Sequence, residues 1–299
     1  MKIFCGGSNK PLAETIAASL GSKLSALELF VFPDGEKRVR VEENVVDEDC
    51  IVIQSTTTPV DQNYMELFFI IDALKRSGAR KITAVVPYFG YQRQDHVFRD
   101  GEVVSLEVMI GFLESLKVDR VVTVDLHSIK IPELFHIPVT HLSALPVFAD
   151  AIKRELKEDA VLVSPDLGGL RGISKLSELL GNLAWVSIVK KRNLETGEIK
   201  MTGIEGDTSK LKKRAIILDD MISSGKTIVQ AAAFLKKMGV EECHVFATHA
   251  IFSKEAPYLL QHSIVDRVFV TDSVLVPEEK KFPKLTILSV ADIIAKELK

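Results

Sequence analysis

The sequence predicts an α/β protein with two tandem domains, each a mostly parallel sheet flanked by helices. Strand-like apolar runs such as "CIVIQST" (50–56) alternate with helix-like segments such as "NYMELFFIIDALKRSG" (63–78) along the whole chain. This alternation is typical of parallel sheets covered by helices. The chain has 299 residues, which is enough for two such sheets, each with its own core.

The remaining elements are predicted in order along the chain. A strand at "KITAVVPYFG" (81–90) precedes a helix at "EVVSLEVMIGFLESLK" (102–117). The polar segment "KKRNLETGEIKMTGIEGD" (190–207) predicts an exposed β-ribbon with its turn at "ETGE". A charged stretch, "KRELKEDA", favours a joint between domains at 1–158 and 159–299. Because apolar runs rich in β-branched residues are typical of buried strands, we also predict strands at "RVVTVDLHS", "AVLVSPDLGG", "LAWVSIVKKR", "RAIILDD" and "CHVFATHAIFS".

Composition narrows the classes of function. The formal net charge is −3, so nothing indicates bulk attraction to nucleic acid or to a membrane surface. Cys5, Cys50 and Cys243 are far apart and show neither metal-ligand nor disulfide spacing, which is typical of a reducing compartment. The sequence shows no signal-peptide pattern and no apolar stretch near the ~18 residues of a membrane span. We therefore expect a cytoplasmic protein that binds neither nucleic acid nor membrane.

One short stretch, "ILDDMISSGKTIV" (216–228), resembles a nucleotide-binding loop at its end. A Walker A loop requires a glycine five residues before Gly225, and Asp220 stands there, so that interpretation fails. The order is instead a buried strand, an acidic pair, a small polar loop and an amphipathic helix. The start of such a helix offers free backbone N–H groups and a positive dipole end, which bind anions. The carboxylates of Asp219 and Asp220 suit sugar hydroxyls or a metal better than a phosphate.

Polar residues also follow the other predicted strands. They lie in "PYFGYQRQDH" (87–96), "DLHS" (125–128), "SPD" (164–166) and "KKR" (190–192). In open α/β sheets, ligands bind beyond the carboxyl ends of the strands. A mixture of Arg, Lys, His and Asp near a helix start suits phosphate chemistry with a divalent metal such as Mg²⁺, which prefers oxygen ligands.

Each of these groups has a structural alternative. His127 could be a hydrogen-bonded structural histidine, whereas its neighbour Asp125 and the strand-end Asp166 favour a metal role. The aromatics of "PYFGY" could belong to the core, since aromatic residues dominate cores. The segments "RQD", "KKR" and "FPDGE" (32–36) could be a solvated turn, a ribbon face and a turn. The pair Asp219–Asp220 is hardest to explain structurally, because adjacent carboxylates repel each other unless a cation or donors offset them.

Six motifs in order give the chain a family resemblance. They are "FPDGE", "IVIQST", "MELFFIIDALKRSGARKITAVVPYFGYQRQD", "DRVVTVDLH", "VSPDLGG" and "DDMISSG", and together they span nearly the whole chain. The chain resembles ribose-phosphate pyrophosphokinases, and "DGEVVS" (100–105) is closer to their shorter archaeal-type members. The resemblance implies two type I phosphoribosyltransferase-like domains. It also implies transfer of the diphosphoryl group of ATP to the 1-hydroxyl of ribose 5-phosphate, with Mg²⁺ as the cofactor and a homo-oligomer as the assembly.

The resemblance also implies roles for individual residues. Lys190 and Arg192 match the catalytic Lys-x-Arg of the family's flexible loop, and His127 and Asp166 would hold the metal. The "FPDGE" loop would reach the adenine from a neighbouring subunit. The expected ATP-binding residues are Phe32, Asp34, Gly35, Glu36, Arg93, Gln94, Asp95 and His96. The expected ribose 5-phosphate-binding residues are Asp219, Asp220, Ser223, Ser224, Gly225, Lys226 and Thr227.

Three positions depart from the family pattern. Ser224 replaces a threonine and keeps a hydroxyl, so we expect little change. Lys226 replaces a glycine and could strain the turn, add a cation near the 5-phosphate, or point to solvent. His96 stands where many members have Arg or Lys. Two alternative functions stay open: a phosphoribosyltransferase, which normally needs only one such domain, and a non-catalytic regulatory homologue of the synthetase.

Overall fold

The computed structural model describes residues 1–155, 160–192, 199–206, 211 and 213–299, and only the backbone of residues 191, 192, 199 and 200. Contacts divide the chain into two compact units. The first unit comprises Met1–Ser143, Ser273–Leu275 and Ser289–Lys299, and the second comprises Ala144–Asp272 and Val276–Leu288. The chain therefore returns twice to the first unit after entering the second.

The first unit contains a parallel sheet, a separate hairpin and four α-helices. The sheet has the order β1-β4-β5-β6-β7, and β2 and β3 form the antiparallel hairpin. The elements up to residue 142 are β1 (Lys2–Cys5), α1 (Lys10–Ser19), β2 (Leu27–Val31), β3 (Lys37–Val41), β4 (Asp49–Ile53), α2 (Val60–Arg76), β5 (Lys81–Val86), α3 (Ser105–Ser115), β6 (Arg120–Val124) and β7 (Val139–Leu142).

The second unit contains a larger, mostly parallel sheet. Its order is β10-β9-β8-β11-β12-β13-β14, and among the described strands only the β9–β10 pair is antiparallel. Its elements are α4 (Leu145–Glu155), β8 (Ala160–Ser164), α5 (Leu170–Leu179), β9 (Trp185–Arg192), β10 (Ile199–Glu205), β11 (Arg214–Ile222), α6 (Lys226–Lys237), β12 (Glu242–Ala250), α7 (Ala256–Gln261), β13 (Arg267–Thr271) and β14 (Leu285–Leu288). The last helix, α8 (Ala291–Leu298), belongs to the first unit.

The apolar pattern of the sequence explains both cores. Helix α2 buries Leu67, Ile70, Ile71 and Leu74, which are spaced as one face of a helix. Helix α6 repeats this spacing with four buried residues in the second unit, Ile228, Ala231, Ala232 and Leu235. The central strands of both sheets, such as β4, β6, β8 and β12, are almost wholly buried because helices cover both faces of a parallel sheet. The predicted α/β class, with mostly parallel sheets flanked by helices, is confirmed.

The boundary between the two units lies earlier in the chain than the predicted domain joint. Helix α4 belongs to the second unit, where the ring of Phe148 lies 5.6 Å from that of Phe246 and Glu155 pairs with Arg267 at 2.5 Å. These contacts place the boundary between Ser143 and Ala144. Residues 156–159 of the charged stretch lie outside the described residues. The domain limits at 158 and 159 therefore stay a prediction.

Two further predictions concern the exposed β-ribbon and membrane-spanning helices. Strands β9 and β10 pair antiparallel across the predicted ribbon, and its "ETGE" turn lies outside the described residues. Among the helices of the described residues, none has the length and apolar character needed to cross a membrane.

Candidate active site

The loop between β11 and α6 has the form of an anion site. Gly225 adopts φ 74°, a left-handed conformation that favours glycine, and α6 begins at the next residue. A Cβ on Gly225 would also lie 3.4 Å from Leu260. Ser253 donates its backbone N–H to the carbonyl of Ser223 at 3.0 Å, and their hydroxyl oxygens lie 3.2 Å apart. The first turn of α6 thus presents its backbone N–H groups behind a fixed turn.

The structure answers the question raised by Lys226. The left-handed residue of the turn is Gly225, whereas Lys226 is the first residue of α6 and has no positive φ. Its side chain is exposed, as is that of Ser224, while Thr227 is half-buried in the first helical turn. The lysine therefore causes no backbone strain at this position, and its cation stands beside the helix start.

Two carboxylates stand at the end of β11, just before this loop. Asp219 accepts the backbone N–H of Asp220 at 2.9 Å, and both side chains are partly buried. Burial, reinforced by the negative charges of Asp220 and Asp166, raises the pKa of Asp219 well above its usual range. The folded second unit therefore contains carboxylate repulsion that a cation or hydroxyl donors would relieve.

Asp166 lies in the same unit and is held by several donors. One carboxylate oxygen accepts the N–H of Gly168 at 3.0 Å and that of Gly169 at 3.3 Å. The other oxygen lies 3.2 Å from Nζ of Lys190, whose side chain is only 17% exposed. The structure thus brings together a predicted metal ligand and a predicted catalytic lysine. For Arg192 only the backbone is described, so its predicted role stays a prediction.

In the first unit, the segment after β5 is anchored before it reaches the predicted ATP-binding residues. Gly90 donates its N–H to Oγ1 of Thr56 at 2.7 Å, and its carbonyl accepts the hydroxyl of Tyr64 at 2.9 Å. Tyr91 has φ 63° and donates its hydroxyl to Asp61. Backbone strain of this kind persists where surrounding contacts enforce it, and it clusters at functional sites.

The predicted ATP-binding residues of this segment follow the anchor. Arg93 is exposed. The backbone N–H of Gln94 bonds to the carbonyl of Tyr91 at 2.8 Å. Nδ1 of His96 lies 2.6 Å from Asp95, and its ring lies 3.9 Å from that of Phe98. These residues form a solvent-accessible loop, whereas Tyr88 and Phe89 of the same motif belong to the core.

His127 lies on the loop after β6, which has a strained backbone and is held by the side chains of His141 and Gln92. Asp125 has φ 36°. The N–H of Leu126 bonds to Nε2 of His141 at 2.8 Å, and the N–H of His127 bonds to Oε1 of Gln92 at 2.9 Å. Gln92 is fully buried, and its Nε2 has no hydrogen-bond acceptor among the described residues. The imidazole of His127 is exposed.

Sequence reasoning missed Gln92 and His141. Gln92 stands inside the motif "YQRQD", so its polar character beside Arg93 was an available signal. His141 has no comparable signal, because only the pairing of β6 with β7 brings it to the loop.

The "FPDGE" motif forms the tip of the β2–β3 hairpin. Phe32 donates its N–H to the carbonyl of Glu36 at 2.8 Å, and Gly35 donates to the carbonyl of Phe32 at 2.9 Å. The N–H of Glu36 bonds to the carboxylate of Asp34 at 3.2 Å, and Gly35 has φ 92°. The tip is exposed throughout. It is the turn that Pro, Asp and Gly predict, and its role toward ATP stays a prediction.

The metal prediction divides between the units. His127 belongs to the first unit and Asp166 to the second, so the structure describes each in its own surroundings. Within the described part of the chain, no group of three or more His, Cys, Asp or Glu side chains has the arrangement of a metal site. Mg²⁺ nevertheless commonly binds through one or two carboxylates, waters and substrate phosphates. Asp166, Asp219 and Asp220 of the second unit are carboxylates of this chemical type.

The mostly parallel sheets flanked by helices form a phosphoribosyltransferase-like α/β fold. The family model described as "N-terminal domain of ribose phosphate pyrophosphokinase" matches residues 1–116, and the one described as "Phosphoribosyl synthetase-associated domain" matches residues 194–299. The chain belongs to the ribose-phosphate pyrophosphokinase family and is an enzyme of this type.

Individual relatives support this assignment over the full chain. A ribose-phosphate pyrophosphokinase of Bacillus caldolyticus is 38% identical over 298 residues, which cover 100% of this chain and 93% of the relative. Ribose-phosphate pyrophosphokinase 2 of Oryza sativa subsp. japonica, named as chloroplastic, is 40% identical over 299 residues, 100% of this chain and 74% of the relative. The crystal structure of phosphoribosylpyrophosphate synthetase from Mycobacterium smegmatis matches with a TM-score of 0.92 and 34% identity, covering 99% of this chain and 97% of that one.

Proposed function

We propose that this enzyme transfers the diphosphoryl group of ATP to the 1-hydroxyl of ribose 5-phosphate, giving phosphoribosyl pyrophosphate and AMP, with Mg²⁺ as the cofactor. The observation that carries the proposal is the junction of β11 and α6. There, two carboxylates, Asp219 and Asp220, lie near the end of β11, four residues before a glycine turn and a helix start. A pentose monophosphate has the matching chemistry, because it carries hydroxyls at one end and a dianionic phosphate at the other.

A bound acceptor sugar would relieve the unfavourable electrostatics of the β11–α6 junction. Sugar hydroxyls donating to Asp219 and Asp220 would offset the burial and the neighbouring negative charges that raise the pKa of Asp219. The 5-phosphate would lie at the start of α6, where N–H groups and the helix dipole together favour an anion. Ser223, Ser224 and Thr227 add hydroxyl donors from the same loop. The exposed ammonium of Lys226 adds a positive charge beside it.

Transfer of the negatively charged diphosphoryl group requires cations, and we propose that the second unit provides positively charged side chains for this role. Mg²⁺, when bound, neutralises charge on the polyphosphate. We assign Asp166 and His127 to hold it, as the family resemblance implies. Lys190 pairs with Asp166 at 3.2 Å, so its ammonium stands next to the proposed metal ligand. With Arg192, it would stabilise negative charge that develops on the transferring group.

For ATP, we propose a site formed by Arg93, Gln94, Asp95 and His96 together with a hairpin tip, residues 32–36. The tip would come from a neighbouring subunit, so the proposal includes a homo-oligomer of at least two chains.

All three cysteines are free thiols, and burial raises the pKa of Cys5 to about 12 and that of Cys243 to about 11. Such protonated thiols fit the reducing cytoplasm that we propose as the compartment.

The two alternative functions have less support. A phosphoribosyltransferase leaves the first unit, with its "FPDGE" and "PYFGYQRQD" motifs, without a role. The regulatory homologue rested on Lys226, and that residue begins α6 without strain. We therefore retain the diphosphotransferase as the proposed activity.

An AMP-release assay tests the proposal directly. Purified protein is incubated with ATP, Mg²⁺ and ribose 5-phosphate, and AMP and phosphoribosyl pyrophosphate are quantified. We expect equimolar products only when all three components are present. AMP formation without ribose 5-phosphate, or product formation that requires a nucleobase, would contradict the proposed reaction. An Asp220→Asn variant serves as the site control and is expected to lose activity.

A further inference from the structure

A buried ion pair anchors the hairpin that carries the "FPDGE" tip. Nζ of Lys37 lies 2.5 Å from Oε2 of Glu66, and the two side chains are only 17% and 7% exposed. Lys37 is the first residue of β3 and follows Glu36 of the tip directly, whereas Glu66 lies on α2. The pair therefore joins the base of the exposed tip to a helix of the first unit.

Glu66 is itself fixed by the parallel sheet. Its second carboxylate oxygen accepts the N–H of Gly7, in the loop after β1, and Nε2 of Gln54, at the end of β4, the latter at 3.1 Å. Oε1 of Gln54 in turn accepts the hydroxyl of Ser8 at 2.8 Å. The carboxylate that holds Lys37 is thus tied to two strand ends, and its position follows that of the sheet.

Other contacts shape the hairpin without giving the tip a charged anchor to the sheet. The tip's own hydrogen bonds, between residues 32 and 36, fix its shape. Leu29 and Val39 pack against the core as partly buried apolar residues, which is a non-directional contact. A second ion pair on the hairpin, Arg38–Glu28 at 2.9 Å, joins its own two strands, and those side chains are 55% and 34% exposed.

The energetics of the buried ion pair indicate that its role is to set the orientation of the hairpin. Desolvation of two buried charges consumes much of their attraction, so an apolar pair of similar volume is often as stable. Such a charge pair is, however, directional, because its energy depends on the distance and alignment of ammonium and carboxylate, and removing either charge leaves the other without its counter-charge. Such a pair selects one orientation of the hairpin over others that would bury the same apolar area.

We propose that Lys37 and Glu66 are positioning residues that set the orientation of the "FPDGE" tip for binding the adenosine part of ATP. The inference rests on the proposed function in one respect, the assignment of this tip to ATP. Its structural part, that the pair orders the tip, stands on the contacts of the first unit alone.

The structural part is tested by amide hydrogen exchange in the absence of nucleotide. Lys37→Met keeps the apolar stem and removes the charge, Lys37→Arg keeps the charge, and Glu28→Gln breaks the exposed pair as the matched control. We expect exchange of the backbone amides of Phe32, Gly35 and Glu36, which are hydrogen-bonded within the tip, to accelerate about tenfold in Lys37→Met, as local opening becomes easier. Lys37→Arg and Glu28→Gln should exchange within about twofold of the parent protein. Unchanged exchange in Lys37→Met would overturn the inference.

The functional part is tested by steady-state kinetics on the same variants. We expect Lys37→Met to raise the KM for ATP about tenfold, with less than about a twofold change in the KM for ribose 5-phosphate. A merely destabilising role would instead lower the amount of active enzyme and leave both KM values unchanged. Glu66→Gln, which keeps an acceptor oxygen for Gly7, provides a second variant if Lys37→Met does not fold, and it should raise the same KM.

The two parts fail separately. If exchange at the tip accelerates while the KM for ATP stays constant, the pair orders the hairpin but the tip does not serve ATP, and the site assignment under the proposed function is wrong. If neither quantity changes while the AMP-release assay succeeds, the positioning role is wrong and the proposed reaction survives.

Discussion

At the scale of single residues, the placement of the Asp219 carboxylate lowers the stability of the folded protein. Its carboxylate is held in a partly buried position beside two other acids, and its pKa is raised well above its usual range. A group whose pKa is raised on folding binds its proton more tightly in the native state. The free energy of unfolding therefore falls as the pH rises from the ordinary carboxyl value toward the raised pKa.

Asp219→Asn should remove this penalty. We expect the variant, in EDTA at pH 8, to unfold about 2 to 4 °C higher than the parent, the shift for roughly 1 kcal/mol in a protein of this size. The advantage should shrink toward pH 4, where Asp219 of the parent is protonated. Thermal unfolding at both pH values measures the effect, and the same variant should lose diphosphotransferase activity. A lower melting temperature at pH 8 would contradict the repulsion argument.

Gln92 provides a second prediction at this scale. Gln92→Met keeps the volume but leaves the part-buried N–H of His127 without its side-chain acceptor, and the loss of such a hydrogen bond costs about 1 kcal/mol. We expect the loop bearing His127 to lose its fixed geometry and kcat/KM to fall about tenfold. Kinetics and thermal unfolding together measure the two effects.

A matched control separates the loop from general stability. Oε1 of Gln261 accepts the N–H of Lys284 at 3.4 Å in the second unit, remote in sequence from every predicted site residue. Gln261→Met breaks a similar bond and should leave kcat/KM unchanged. Equal losses of activity in the two variants would count against a specific role for Gln92.

These residues differ in whether the sequence alone could predict their roles. Asp219 and Asp220 were predicted because two acids after an apolar strand require an explanation within the sequence itself. The bond from Gln92 to His127 joins positions that only the folded sheet brings together. The ion pair of Lys37 and Glu66 likewise depends on how the hairpin packs against α2, which no local pattern reveals.

At the scale of elements, the β11–α6 junction was largely predictable. The apolar run and the helical spacing predict the strand and the helix, and the glycine marks the turn between them. The sequence left open which of Gly225 and Lys226 takes the left-handed conformation. The backbone answers this, because Gly225 has φ 74° and faces Leu260. The hairpin strands β2 and β3 were not predicted, although the turn between them was.

Gly225→Ala should therefore damage this junction. Alanine at a positive φ costs on the order of 1 kcal/mol, and its Cβ would press on Leu260. We expect a lower melting temperature and a KM for ribose 5-phosphate raised about tenfold, since the helix start shifts away from the phosphate. Lys226→Ala is the matched control on the adjacent residue, and it should preserve the melting temperature within about 1 °C. Equal melting temperatures for both variants would contradict this account of the turn.

At the scale of the whole molecule, ligands should stabilise the protein by mass action. Ribose 5-phosphate bound only to the native state adds about 2.7 kcal/mol at one hundred times its Kd. We expect a raised melting temperature with ribose 5-phosphate, and a larger rise when Mg²⁺ is present to relieve the acidic residues. Differential scanning calorimetry with and without EDTA measures both, and ribose serves as the control without a phosphate. A shift of the same size with ribose would remove the phosphate from the recognition.

The chain path has a consequence for biosynthesis. Helix α8 returns to the first unit, where Asp292 bonds to Ser19 at 3.2 Å and Glu297 pairs with Arg120. On the ribosome, the unit that emerges first is consequently completed last, after every residue of the other has been translated. Until α8 has been translated, the surface of the first unit that α8 covers stays exposed, so the fold of that unit is completed by residues synthesised after the whole second unit.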